Sequence, residues 1–173
     1  MMRQPGIYGI HTVTSTSAIR YAYETAAARS TRLLLLLQAV GWLCQFRRFM
    51  GKTSAGLSGV RIDQLAESQD VPNRLDTLFS LVSTDKVKAA REAMAVGTDE
   101  TQTRRMMRRA RHYIVHKATD AHDYKYATSI FDDVWRVTPR WRPQMLATAA
   151  QFLHGSATPT PALMRRIAER LRA

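Results

Sequence analysis

From Asn73 to Leu171, apolar residues recur three and four positions apart in one segment after another. Nowhere does a run of β-branched residues alternate with polar ones. A 3.6-residue period puts such residues on one face of a helix, whereas a half-buried strand needs a period of two. The chain is therefore expected to be all-α, built of antiparallel helical hairpins as a bundle or short solenoid, with an extended basic N-terminal arm. No residue pattern recurs at a fixed period, so the solenoid form has no repeat to support it.

The punctuation divides this part of the chain into helices. Val60–Ser68 is a short candidate, and Asn73–Val82 follows Pro72 with Leu75, Leu78, Phe79 and Val82 facing inward. Thr84–Val96 is expected to be capped by Thr84, to bury Val87, Ala90 and Met94, and to stop at Gly97. Thr98–Ala118 has Thr98 as its cap and Met106, Met107, Ala110, Ile114 and Ala118 as its apolar stripe. A further helix, capped by Asp120 or Asp123, should run to about Val137 with Tyr124, Ala127, Phe131, Val134 and Trp135 at helical spacing. Pro143 suits a first helical position, and Met145, Leu146, Ala149, Phe152 and Leu153 then mark a face that ends at Gly155. Thr160 and Pro161 should open the last helix, with Leu163, Met164, Ile167 and Leu171 facing in.

The first 59 residues have a different character. Residues 1–32 carry Arg3, Arg20, Arg29 and Arg32 against the single acid Glu24, among many Ser, Thr and Ala. This is the composition of a mitochondrial targeting segment or a basic arm, with Ala18–Arg32 as a basic amphipathic helix. Residues 33–50 form an apolar helix. Its core, Leu33–Phe46, is closed by Arg32 and by Arg47 and Arg48, and at about 14 residues it is shorter than the roughly 20 of a membrane span. It reads as a helix buried on most sides in the core or in a subunit interface; the alternative is a short hydrophobic anchor, membrane-associated with the arginines facing anionic lipid. Residues 51–59, Gly/Ser-rich, read as a linker. Lys52-Thr53 there lacks the spaced glycine and flanking strand of a phosphate loop. Residues 60–173 are then the helical domain.

Composition matters chiefly through charge. The chain carries 26 Lys and Arg against 14 Asp and Glu, a net +12, which favours nucleic acid, anionic lipid or an acidic protein as partner. The single cysteine, Cys44, excludes an intrachain disulfide. The excess is sharpest in Thr101–Thr119, where Arg104, Arg105, Arg108, Arg109, Arg111 and Lys117 meet no acid. Like charges at i,i+4 repel by roughly 0.2–0.5 kcal/mol per pair, so this helix carries a cost that an external anion would relieve. Arginine favours bidentate contacts to phosphate. Arg140, Trp141 and Arg142, which interleave cations with an aromatic, and Arg165 and Arg166 on the last helix extend the candidate binding set. The rival reading has the arginines neutralised by Asp120, Asp123, Asp132 and Asp133, with Trp135 and Trp141 as packing residues.

Other chemistry has little support. His112 and His116 share a helix face, with Asp120, His122 and Asp123 behind them, but the neighbouring arginines disfavour a metal cation. Asp132 and Asp133 point about 100° apart on a helix and form no carboxylate pair. Cys44 lies in an apolar run where thiols are inert, and His154 reads as a helix C-terminal cap. No cofactor, metal or catalytic residue is implied. The expected function is that of a non-catalytic subunit of a mitochondrial ribonucleoprotein in the matrix, ribosome-like, binding RNA phosphates and neighbouring subunits. An accessory subunit of a mitochondrial inner-membrane complex and a helical adaptor for an acidic protein are the alternatives.

Overall fold

The structure, a computed structural model, describes residues 6–50 and 60–171, so the linker expected at 51–59 lies outside the described residues. All regular structure in them is helical: eight α-helices and two short 3₁₀ turns. The chain divides into two compact units, Met1–Gly59 and Val60–Ala173.

The first unit pairs α1 (Ile7–Thr25) with α2 (Arg29–Met50). They run antiparallel, since Tyr8 stacks on Phe49 at 5.4 Å and His11 on Phe46 at 6.3 Å. The hydroxyls of Thr12, Thr14 and Thr16 donate to carbonyls four residues earlier, which satisfies these side chains within the helix. The helix expected over Ala18–Arg32 is broken. Ala26 is extended (ψ 128°), and Arg32 Nε donates to the Ala26 carbonyl at 2.8 Å to close the corner. Leu33–Phe46 corrects the expectation of a core helix: Phe46 alone is buried along α2 within the chain, while Leu33, Leu34, Leu36, Leu37, Val40 and Leu43 are exposed. Among the described residues of this unit, α1 alone packs along α2 and covers one stripe of it.

The second unit is built around α4 (Lys86–Gly97), which buries Ala89, Ala90, Ala93, Met94 and Val96. Small side chains let backbones approach closely, and α3 (Arg74–Thr84), α5 (Glu100–Lys117) and α7 (Arg142–Ala149) all pack against it. Gly97 has a steric role beyond ending the helix. A Cβ there would lie 2.5 Å from Pro143 Cα and 2.8 Å from Pro143 N, so only glycine lets α7 start against the end of α4. α6 (Ala121–Asp133) joins α5 and α7 through buried Tyr126, Ala127, Ile130 and Phe131.

The caps correct two threonine assignments. Asp85, not Thr84, caps α4 by accepting from the Val87 and Lys88 amides, and Asp99, not Thr98, caps α5 by accepting from Gln102 N at 2.6 Å. A carboxylate accepts these bonds more strongly than a hydroxyl. Thr84 and Thr98 instead donate back to Ser80 O and Ala95 O, finishing the preceding helices. Asp120 caps α6 through His122 N. The amide bonds made to Asp85 and Asp120 are the main reason that both carboxyls titrate below their usual range.

Several elements are shorter than the periodicity suggests. Val60–Ser68 forms only a 3₁₀ turn at Ile62–Gln64. α6 ends at Asp133, where Arg136 and Val137 turn back onto the Asp133 carbonyl. α7 ends at Ala149 and gives way to i→i+3 turns through Phe152. α8 (Ala162–Arg170) begins after Pro161 with no side-chain cap and buries none of its residues. Leu163, Ile167 and Leu171, expected to face inward, are exposed.

Lys86 is a charge held largely out of water. Its Nζ donates to Ala150 O at 3.4 Å and Leu153 O at 3.3 Å, and burial lowers its pKa to about 8 from 10.5. Between about pH 8 and 10 the unfolded chain holds this proton while the folded chain releases it, so stability should rise with pH there. The slope is at most about 1.4 kcal/mol per pH unit. Lys117, also lowered by burial, acts in the same direction. Above this window Tyr126, whose pKa burial raises, reverses the trend. Thermal unfolding at several pH values should show the rise in the native chain and a flatter curve in Lys86→Met.

Candidate nucleic-acid interface

The apolar stripe of α5 (Met106, Met107, Ala110, Ile114) is buried against the rest of the unit. That fixes the rotation of the helix and decides where each arginine goes. Arg105, Arg108, Arg109 and His112 project into an open groove of about 1120 Å³ whose opposite wall is Asp70–Val71 and Asn73–Asp76 at the start of α3. Asn73 stands there in a left-handed conformation (φ 53°) after Pro72, which turns the chain sharply into α3. Tyr113 completes the lining and packs edge-on against Phe79 at 5.1 Å.

The groove contains acids, and their pairing determines its charge. Asp76 is bonded to Arg109, and Asp70 accepts from Arg74 Nη2 at 3.0 Å. Arg105 and Arg108 are exposed and have no carboxylate partner among the described residues. Two uncompensated guanidinium groups, one helical turn apart, therefore face the same open space. They can donate bidentate hydrogen bonds to successive anionic groups.

The remaining predicted residues lie elsewhere. Arg104 pairs with Glu100 at 2.7 Å and stacks over Trp135 at 4.4 Å, while Arg142 covers the same indole at 4.9 Å and approaches Glu100 at 3.8 Å. These two form an internal clamp on a half-buried Trp135. Arg111 lies over Phe131 at 5.1 Å, beside a smaller depression of about 340 Å³ between α5 and α6. Arg140 stacks on Trp141, which is exposed and available as a platform. Arg165 and Arg166 are exposed on α8. None of these lines the groove, so the eleven predicted residues do not form one patch.

Lys117 is a correction. It is buried, and its Nζ donates to Gly155 O at 3.0 Å, Ser156 O at 2.6 Å and Thr158 O at 2.8 Å. All three ammonium protons are engaged, so it holds a turn together and cannot reach an external phosphate. Of the downstream acids, Asp120 bonds His122, and Asp123 lies 3.2 Å from His154 Nε2. His154 Nε2 thus faces α6 without a hydrogen bond to the described residues, and α7 ends before it, at Ala149 with Ala150 as its C-cap. The rings of His112 and His116 lie 4.3 Å apart, tilted at 51°, and no cluster of three metal-ligating side chains occurs among the described residues.

Sequence reasoning missed the groove's second wall. Arg74 anchors it by donating to Ser68 Oγ, Gln69 O, Asp70 and the buried Glu92. Glu92 gave no signal, since the face expected to point inward was Val87, Ala90 and Met94, and Glu92 lies nearly opposite that face by helical geometry. No protein-family model, curated protein or solved structure matches the chain.

Proposed function

We propose that the protein is a non-catalytic, RNA-binding subunit of a mitochondrial ribonucleoprotein that grips the phosphate backbone in the groove beside α5. The observation that carries this reading is the pair Arg105 and Arg108, unneutralised and directed into an open groove within a chain of net charge +12. Two guanidinium groups without carboxylate partners suit contacts to backbone phosphate, to which they can donate bidentate hydrogen bonds. The exposed Arg140–Trp141 stack supports a second, weaker contact by stacking on an unpaired base. The mitochondrial setting rests on the basic, Ser/Thr-rich residues 1–32. In this reading the helices form a stack of antiparallel hairpins, and the N-terminal region is the arm that reaches neighbouring subunits.

Filter binding of the full chain to single-stranded RNA over a range of salt tests the proposal. Affinity should fall steeply with salt, and Arg105→Gln/Arg108→Gln should flatten the log–log slope by about 1.4, near 0.7 for each lost phosphate contact. An unchanged slope, or binding only to an acidic protein, would overturn it.

A further inference from the structure

The exposed face of α2 has no role in the groove. Leu33, Leu34, Leu36, Leu37, Val40 and Leu43 are each 43–66% exposed and fall within one continuous side of the helix. Gln38 and Gln45 lie off that side by helical geometry. Arginines bracket it: Arg29 and Arg32 at one end, Arg47 and Arg48 at the other, with no acidic residue anywhere in α2. We propose that this face docks on an anionic lipid surface, with the leucines in the interfacial layer and the terminal arginines at the headgroups.

Three arguments select lipid. Self-association of α2 would bring arginines against arginines at both ends in either orientation, and the helix has no acid to relieve them. From Leu33 to Cys44 the face is aliphatic apart from the exposed Cys44 thiol, a weak hydrogen-bonding group, whereas specific protein interfaces carry about one hydrogen bond per 100–200 Å². The run from Leu33 to Leu43 spans about 15 Å, half the roughly 30 Å hydrocarbon core, and no described helix is long and apolar enough to cross a membrane. A helix with a leucine face and cationic ends lies in the plane of such a surface.

Flotation of the purified full chain with phosphatidylcholine vesicles, with and without phosphatidylserine, tests this. The chain should float with the anionic vesicles. Leu33→Gln/Leu37→Gln/Val40→Gln, all exposed positions at which glutamine keeps the helix, should weaken binding at least tenfold with unchanged helical content by circular dichroism. Arg47→Gln/Arg48→Gln should weaken it on anionic vesicles and steepen its loss with salt less than in the native chain. Arg105→Gln/Arg108→Gln should bind vesicles normally, which separates this surface from the RNA groove. No flotation, equal flotation of the leucine variant, loss in the groove variant, or a dimer that the leucine variant abolishes would each overturn the proposal.

Discussion

Arg74→Met is expected to destabilise the helical unit by about 3–5 kcal/mol, because it strands a buried carboxylate. Glu92 is only 6% exposed on α4, and its Oε2 accepts from Arg74 Nη1 at 2.9 Å. The same guanidinium donates to Ser68 Oγ at 2.6 Å, Gln69 O at 3.2 Å and Asp70 Oδ1 at 3.0 Å, tying the preceding loop to α3 and α4. The pair itself adds little net stability, because both charges are desolvated, but half of it is costly to keep. Arg74→Met/Glu92→Met should therefore recover most of the loss. Denaturant titration distinguishes the cases: a single-variant loss under 1 kcal/mol, or a double variant no better than the single, would contradict this account.

The second large effect is expected at the turn that Lys117 closes. Lys117→Met removes three charge-assisted bonds to the carbonyls of Gly155, Ser156 and Thr158, and should cost about 2–4 kcal/mol. Gly155→Ala attacks the same turn from the other side. A Cβ at Gly155 would lie 2.6 Å from Phe79 O and 2.8 Å from Ser83 N, and would press on Ser83 Oγ as well. The turn would have to lift away from α3, weakening the 2.8 Å bond from Ser156 N to Phe79 O. Overpacking of this kind costs about 1–3 kcal/mol or more. Because both changes release one turn, their combination should fall short of the sum by about 1 kcal/mol or more. Additive losses would show that the two sites act independently.

The helical character of the chain was legible because burial and period coincide. Met106, Met107, Ala110 and Ile114 repeat at helical spacing and are all buried. Helix ends were less legible, since Thr84-Asp85 and Thr98-Asp99 each offer two capping residues and only the backbone path decides between them. Periodicity also says which face of a helix is apolar without saying whether anything covers it. α2 and α8 have faces as apolar as that of α5, and they remain exposed. For the site, the arginine cluster on α5 was evident in the sequence, but its division was not. The division depends on Asp76 meeting Arg109 across 33 positions, and on Glu100 and Trp135 claiming Arg104 and Arg142. Lys117 was indistinguishable from a surface lysine until the turn at 155–158 came to lie beneath it.

The most direct measurement compares two variants that each remove two positive charges, Arg105→Gln/Arg108→Gln from the groove and Arg104→Gln/Arg142→Gln from the Trp135 clamp. Both are titrated with the same single-stranded RNA at the same ionic strength. If the groove is the binding site, the first pair should lose at least tenfold in affinity, while the second should lose stability and little affinity. Equal losses of affinity in the two variants would mean that net charge alone attracts the RNA, and would contradict a site in the groove.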